Sequence, residues 1–359
     1  MLRTPYLYLR GLRQSDHTVF GVGGDGQKRY YDAQFERSMP YSSGQQVKRS
    51  ILDLMCGVLG EPRAPITFNY EVETQKGKKG EPPTQTLINK EPWSPCDPRF
   101  ADQLVGGWMR ARPKMVTLKR RSPLSISALR PLHPLLATMS KEDLTFDRSE
   151  HPEQHVVRVL DSSGEEMSRD EIDAFLADKQ RTIPLRHWIP ENRRTSGLFV
   201  FDVAIDLPNL FRVSTQTFEP QLDPDMIEAL RADGWTETAD GAALVAPEAQ
   251  RERIIPALAH ALVHWRVTSN QSRTFSPQPT LALALSANAN KIVASVRADL
   301  DDEATTPKAN PVLRAPEGVE LYTAPSAKGY VPGVVASEDA LDVAETQIAE
   351  RLRAFDYAA

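Results

Sequence analysis

Residues 42–60 read SSGQQVKRSILDLMCGVLG, and this stretch sets the interpretation of the rest of the chain. Ser43 followed by Gln46 is typical of a capping box at a helix start. The apolar residues that follow recur at helical spacing: Val47, Ile51, Leu54, Met55 and Val58. The stretch therefore predicts an amphipathic helix that ends near Gly57 and Gly60.

Segments on both sides of this helix have the patterns of strands and helices. The predicted elements are strands at 6–12 and 17–22, two paired strands at 198–207 and 211–217, a helix at 247–265, a buried strand at 280–286, and a C-terminal helix at 337–355 capped by Ser337. The order is strand, helix, long insertion, strand, strand, helix, strand. It predicts an α+β fold of the split β-α-β kind, ferredoxin-like or RNA-recognition-motif-like.

The composition is that of a folded globular protein. The chain has 359 residues, of which 40% are hydrophobic and 25% charged, and no apolar run is long enough to span a membrane. Its start, MLRTPYLYLRGLRQ, lacks the apolar core of a secretory signal. Two cysteines exclude a disulfide framework and a four-thiolate zinc site. We expect a soluble, cytoplasmic protein with no membrane partner.

Charge is distributed unevenly along the chain. The net charge is −5, but residues 1–130 hold 21 basic and 12 acidic side chains, whereas residues 131–359 hold 22 and 36. The basic excess lies mostly in residues 76–130, with 12 basic and 4 acidic. This asymmetry favours one surface that meets an anion, and the alternative is a chance clustering of solvated charges.

Metal and nucleotide signatures are weak. His260 and His264 have metalloprotease spacing, but Ala261 replaces the required glutamate and no third ligand is near in sequence. The glycine-rich loop GVGGDGQKRYY, residues 21–31, lacks the ending of a P-loop and opens no helix. It is either a turn or a place where a nucleic-acid backbone passes closely. We predict no metal and no cofactor.

The start of the 42–60 helix offers a possible anion site. Free N–H groups and the helix dipole lie there, Gly44 would let a phosphate approach, and Lys48 and Arg49 follow within about one and a half turns. The alternative is an ordinary helix cap with solvated basic residues.

Three stretches together resemble the CRISPR-associated Cas-seven family of the RAMP superfamily. PYSSGQQVKRSILD (40–53) is similar to the family's Ser-Gly-Gln-plus-basic helix start. DQLVGGWM (102–109) and KRRSPLSISALRPLHPLL (119–136) resemble its second motif, with Gly106-Gly107 for Phe-Gly and Ser122-Pro123 for Gly-Pro. SNQSRTFSPQPTLALAL (269–285) resembles its Asn-x-x-Arg-Thr turn.

The resemblance implies a division of the chain. Such subunits have a ferredoxin-like palm, an inserted fingers region and a β-hairpin thumb. The implied bounds are 1–60 and 198–300 for the palm, 61–180 for the fingers, 181–197 for the thumb, and 301–359 for a C-terminal extension. At the thumb, Leu185, Trp188 and Ile189 would wedge between bases, and Arg193 and Arg194 would hold phosphates; the alternative is an ordinary hairpin with a core tryptophan.

The resemblance also implies residues that hold the guide RNA by its phosphates without reading sequence. These are Arg10, Arg13, Lys28, Arg29, Ser42, Ser43, Gln45, Lys48, Arg49, Lys119, Arg120, Arg121, Asn270, Gln271 and Arg273. For each basic residue the alternative is plain solvation.

The implied function is a non-catalytic, CRISPR RNA (crRNA)-binding backbone subunit of a type I, Cascade-like complex. Its implied partners are crRNA, target DNA or RNA, copies of itself in a helical filament, and other subunits: a large subunit, a Cas-five-type cap and a crRNA-processing subunit. One alternative is a type III-like subunit that cleaves target RNA with a metal and Asp32. Another is an unrelated RNA-binding or structural module with the same sheet.

Overall fold

A computed structural model of the protein describes residues 5–23, 26–75, 84–111, 115–147, 156–179, 182, 186–267, 275–301 and 303–359. In these ranges the chain forms antiparallel sheets and helices, so the predicted α+β class is confirmed. No helix there is long and apolar enough to cross a membrane.

Among the described residues, the longest strand has 21 residues and lies past the middle of the chain, and the next longest has 13 residues and lies near the N-terminus. The strands are β1 (Tyr6–Thr18), β2 (Val22–Gly23), β3 (Gly26–Gln27), β4 (Arg29–Asp32), β5 (Arg37–Pro40), β6 (Thr67–Gln75), β7 (Thr84–Trp93), β8 (Trp108–Arg110), β9 (Leu118–Arg120), β10 (Leu124–Ile126), β11 (Arg130–Pro131), β12 (Ala137–Asp147), β13 (Arg186–Asp206), β14 (Arg212–Ser214), β15 (Thr236–Glu237), β16 (Ala243–Val245), β17 (Thr280–Ser286), β18 (Val296–Asp301), β19 (Lys308–Leu313) and β20 (Glu320–Thr323). The α-helices are α1 (Gly44–Leu59), α2 (Ala101–Gly106), α3 (Arg169–Lys179), α4 (Leu207–Leu210), α5 (Pro224–Ala232), α6 (Glu248–His264), α7 (Ala289–Ser295) and α8 (Ala340–Arg353).

The main sheet is built around β1. Its strand order is β10-β13-β1-β17-β20, with β11 and β12 also paired to β13, and every pair is antiparallel. Helix α1 follows β1, and the chain later reaches β10 on the far side of β13. Helix α6 follows β13 and leads to β17 on the far side of β1. Each helix thus joins two strands that have a third strand between them, which is the split β-α-β arrangement.

The larger core lies between one face of this sheet and helices α1, α6 and α8. Side chains of a strand alternate between its faces, so Leu7 and Leu9 of β1 enter this core together with Ile51 of α1 and Leu258 of α6. Burying each such side chain contributes about 1.5–3 kcal/mol. A smaller apolar cluster covers the opposite face, where Leu12 packs with residues of β17 and α7.

The helices and strands of the core follow their sequence patterns. Helix α1 has Ser43 as its N-cap and Gly60 as its C-cap at φ 67°, a left-handed conformation that suits glycine. The predicted helix at 247–265 is α6, and the strand at 280–286 is β17, which is buried along its whole length. The strand predicted at 6–12 lies within β1, which continues to Thr18; of the strand predicted at 17–22, only residues 17 and 18 belong to β1, residues 19–21 are not strand, and Val22 begins β2.

The predicted pairing of 198–207 with 211–217 is wrong. Strand β14 pairs with β16 in a separate small sheet. The physical reason is a local helix: Asp206 ends β13 and caps α4 by accepting a hydrogen bond from the Asn209 N–H at 3.3 Å. At the C-terminus Asp339, not Ser337, is the N-cap of α8, and Ser337 donates its hydroxyl hydrogen to the Asp339 carboxylate.

The prediction of a hairpin within 181–197 is also wrong for the part of this segment that the structure describes. Residues 186–197 continue directly into the core strand as part of β13, and their partner is β12, from earlier in the chain. We call this pair the β12–β13 ribbon.

The proline-rich insertion holds a second ribbon, β6 with β7, which no sequence pattern predicted. Phe68, Tyr70 and Val72 alternate along β6, and Leu87 is the cross-strand partner of Val72. All four side chains are 55–66% exposed. Since residues two apart share a face of a strand, the β6–β7 ribbon presents an uncovered apolar face.

Candidate nucleic-acid interface

The start of α1 is capped as the sequence predicts. Ser43 Oγ accepts a hydrogen bond from Gln46 N at 3.4 Å. Ser42 is fully buried, donates to Gln46 Oε1 at 3.0 Å, and exchanges two 3.0 Å backbone hydrogen bonds with Leu129. Gln46 also donates to the carbonyl of Phe20, the residue before the glycine-rich loop. Ser42 therefore lies inside the protein, and its predicted contact with RNA is wrong.

The space beside Gly44 is taken by protein. A Cβ at this position would lie 2.7 Å from the Ile126 carbonyl oxygen and 3.2 Å from that of Ser127. Glycine is required here because another part of the chain passes, not because a phosphate approaches. The prediction of an open anion site at Gly44 is therefore corrected.

Lys48 joins the first two family-like stretches. Its Nζ donates to the Gly106 carbonyl at 2.7 Å and to Ser122 Oγ at 2.5 Å. Burial lowers the pKa of the Lys48 ammonium to about 8, and the nearby Arg120 charge adds to this effect. Lys48 is thus a structural residue in this fold rather than a surface cation. Of the other α1 candidates, Gln45 is exposed, and Arg49 is 64% exposed in an ion pair with Asp53 at 3.2 Å.

Arg13 is enclosed by the core, and its predicted RNA contact is wrong. It is 1% exposed and donates to the carbonyls of Val263 at 2.9 Å, of Gln278 at 3.3 Å and of Trp265. Its guanidinium carbon lies 4.1 Å from the centre of the Trp265 ring, a cation–π geometry. Burial lowers the pKa of Arg13.

Arg120 is buried in the same way, so its predicted RNA contact is also wrong. It is 4% exposed and donates to carbonyls of Leu104, Asn209 (2.6 Å) and Arg212 (3.1 Å). Its guanidinium carbon is 5.2 Å from the Trp108 ring centre. Arg120 therefore ties the insertion to the chain around α4.

Arg10 is also internal, on the second face of the sheet. It is 6% exposed and forms a 2.9 Å ion pair with Asp202, which Arg130 contacts at 3.0 Å. Burial lowers the pKa of Arg10, and Asp202 opposes that shift. Arg10 is therefore buried and paired inside the fold, which contradicts its predicted RNA contact.

Lys119 and Arg121 do reach the surface. Strand alternation places them outward while Leu118 and Arg120 point inward. Both line a cleft of about 620 Å³, called here the Lys119 cleft, together with Arg212 and Phe218. Asp206 and Glu219 also line it, so the cleft is mixed in charge rather than purely cationic.

Sequence reasoning missed two residues of this cleft. Phe218 is 95% exposed, and an aromatic ring in this position is available to stack on a base. Arg212 donates to the carbonyls of Tyr357 and Ala359, both at 2.5 Å, which anchors the chain end beside the cleft. The polar neighbours of Phe218 in the sequence were the available signal.

The β4–β5 hairpin carries three further candidates. Arg29 is exposed, and Lys28 is half-buried just before β4. Asp32 accepts a hydrogen bond from Phe35 N at 2.9 Å and so closes the turn of the hairpin. In the described ranges Asp32 belongs to no group of three potential metal ligands.

Several predicted residues lie beyond what the structure describes. Leu185, Asn270, Gln271 and Arg273 fall outside the described residues, as do the side chains of Trp188 and Ile189. Arg193 is half-buried and pairs in register with Lys141, and Arg194 is 5% exposed opposite Ser140. Burial of Arg194 contradicts its predicted phosphate contact, whereas the role of the others stays a prediction.

The sequence shows no third ligand near His260 and His264, but the folded chain brings one to them. Glu345 of α8 lies 3.0 Å from His260 Nδ1 and 3.4 Å from His264 Nε2. Burial, with the neighbouring His260, lowers the pKa of His264. Because Glu345 is 81 residues from His264, local spacing could not indicate it.

Among known proteins, similarity was found to solved structures only. No family model matches, and no curated protein matches. A chain of a "CRISPR RNA-guided surveillance complex, pre-nicking" is 11% identical, with 97% of this chain and 88% of that chain covered and a TM-score of 0.42. A chain of a "CRISPR RNA-guided surveillance complex" is 9% identical, with 97% and 84% covered and a TM-score of 0.39. At these values the likeness alone establishes neither a shared fold nor a shared function.

Proposed function

We propose that this chain is a non-catalytic, crRNA-binding backbone subunit of a type I, Cascade-like complex in the cytoplasm. The observation that carries the proposal is the meeting of the first two family-like stretches. Lys48 of the first binds Gly106 and Ser122 of the second, and Ser42 pairs with Leu129. If both stretches resemble the family because this chain shares its architecture, the two stretches are expected to contact each other in the folded protein.

The sheet supports the same proposal. A strand order of β10-β13-β1-β17 with α1 and α6 as the crossing helices matches a ferredoxin-like palm. The long excursion between α1 and β10 then corresponds to the fingers, and the β12–β13 ribbon replaces the predicted 181–197 hairpin as the thumb candidate.

Cations that are exposed, together with the half-buried Lys28, are the groups that would hold the guide. They are Lys28, Arg29, Arg49, Lys119 and Arg121, with Gln45 and Ser43 as neutral partners, and with Asn270, Gln271, Arg273 and Arg193 retained from the sequence. Contacts of this kind attach to phosphates and carry no base information, as a subunit that accepts any guide requires.

Charge reversal at the Lys119 cleft tests this proposal. We expect Lys119→Glu/Arg121→Glu to reduce the slope of log K against log salt for single-stranded RNA by about 1.4, since each lost phosphate contact removes about 0.7. The measurement is a salt titration of RNA affinity by fluorescence anisotropy. Lys308→Glu/Lys328→Glu, an equal charge change at exposed positions of the acidic half, should leave the slope unchanged.

An unchanged slope in the cleft variant would contradict the assignment of these residues. Metal-dependent cleavage at regular spacing that Asp32→Ala abolishes would favour the endonuclease alternative. Purified protein without RNA or protein partners would favour an unrelated module.

The β6–β7 ribbon is the surface that we expect neighbouring copies to cover. Isolated two-stranded ribbons are marginal in water, and an exposed apolar face marks an interaction site. Stacking copies along one guide uses a heterologous contact, which produces a helix when the rotation does not close. The net −14 of residues 131–359 could then meet a neighbour's basic region.

Two lysines on that face should block assembly without unfolding the subunit. We expect Val72→Lys/Leu87→Lys to bind RNA as single copies, measured as mass per guide by native mass spectrometry, with an unchanged melting temperature. Glu73→Lys/Thr86→Lys places two lysines on the opposite face of the same ribbon and should still assemble. Assembly of the first variant at normal stoichiometry would exclude this face as the contact.

A further inference from the structure

Two imidazoles and one carboxylate converge between α6 and α8. His260 and His264 are one helical turn apart, and their ring centres are 4.5 Å from each other. Glu345 Oε2 lies between them, 3.0 Å from His260 Nδ1 and 3.4 Å from His264 Nε2. The three ligand atoms all lie within 4.8 Å of one another.

These distances are close to those of a metal site. In a tetrahedral zinc site with bonds of about 2.0–2.1 Å, neighbouring ligand atoms are about 3.3 Å apart. Two of the three edges here already have nearly that length. Imidazole and carboxylate are also ligands that zinc accepts, and hard cations such as Mg²⁺ would instead require more oxygen atoms.

We propose that His260, His264 and Glu345 bind one Zn²⁺ ion that joins α8 to α6. The three protein ligands leave a fourth position for water. A cleft of about 460 Å³, lined in part by Val58, Arg253, His260 and Glu345, gives that position a path to solvent. The site is separate from the Lys119 cleft, so it goes beyond the proposed RNA-binding function.

Two cations lie near this site, and each is bonded to another group. Arg253 is paired with Glu61, so it does not compete for Glu345. Arg13, whose charge also acts on His264, is held by the Val263 carbonyl of α6. The alternative to a metal is a simple set of hydrogen bonds in which one carboxylate holds two histidines.

Metal titration separates these two possibilities. Protein dialysed against a chelator is titrated with ZnCl₂ alone by calorimetry and by thermal melting. We expect one ion per chain and a higher melting temperature. Glu345→Gln keeps the shape of the side chain and should weaken zinc binding at least about 100-fold. Glu350→Gln, on the same helix, should bind zinc as the unaltered protein does.

Cobalt gives a second readout. Co²⁺ added to the apo protein should show the visible bands of four-coordinate cobalt, and Glu345→Gln should lose them. Absence of saturable binding, or binding unchanged in Glu345→Gln, would overturn the proposal. Since the assay contains no RNA, its failure would leave the RNA-binding proposal unaffected.

Discussion

Replacing Arg120 with methionine is expected to lower the free energy of unfolding by about 3–5 kcal/mol. Methionine fills much of the same space but cannot donate to the carbonyls of Leu104, Asn209 and Arg212. Each buried acceptor left without a partner costs about 1–3 kcal/mol. Urea denaturation followed by circular dichroism measures the change.

Arg121→Met is the matched control for this prediction. Arg121 is the next residue and is exposed, so its replacement should change stability by no more than about 0.5 kcal/mol. The opposite result for RNA binding is expected, because Arg121 is exposed, whereas Arg120 is buried and already donates to carbonyls. Equal stability of the two variants would show that the buried guanidinium is not holding the insertion in place.

The second large effect is expected at Gly197. Its φ of +136° lies in a region that residues with a side chain rarely adopt, and a Cβ there would be 2.3 Å from the Leu136 carbonyl oxygen and 2.6 Å from Ala137 Cα. Both neighbours are backbone atoms of the adjoining segment, so moving them aside would disturb the pairing of that segment. We expect Gly197→Ala to lower the free energy of unfolding by about 3 kcal/mol or more.

Gly57→Ala should instead raise the free energy of unfolding. Gly57 lies in α1, is exposed, and a Cβ there would meet nothing within 4 Å. Alanine in a helix is favoured over glycine by up to about 1 kcal/mol, so this variant should be slightly more stable.

If Gly197→Ala denatured at the same urea concentration as the unaltered protein, the close approach of β12 and β13 would be disproved.

Local signals predicted the elements of the core, because capping and periodicity are encoded within a few residues. The cap at Ser43 and the stripe through Val47 and Ile51 suffice to define α1. The partner of β14 could not be predicted, because β14 skips the next strand and pairs with β16. The β6–β7 ribbon joins consecutive strands, but it lies in the proline-rich insertion, whose composition favours loops.

The candidate site was predicted by residue type, and residue type does not report burial. Arginine is usually at the surface, so residue type predicts RNA contacts at Arg13 and Arg120, but each side chain is enclosed and donates to backbone carbonyls. For Arg120 a signal was present: in Leu118 to Arg121, strand alternation places Arg120 on the same side as the apolar Leu118. Lys48 offered no comparable signal, because its acceptors lie 58 and 74 residues away.

The continuity of β13 has a mechanical consequence. Its 21 residues extend over roughly 70 Å at about 3.3 Å per residue, from the ribbon shared with β12 to the middle of the main sheet. The strand is paired along this length, with an irregular conformation at Gly197, so a load applied to the ribbon by a bound strand would be passed along β13 to the part held between β1 and β10. Gripping the outer end would therefore slow amide exchange deep in the sheet.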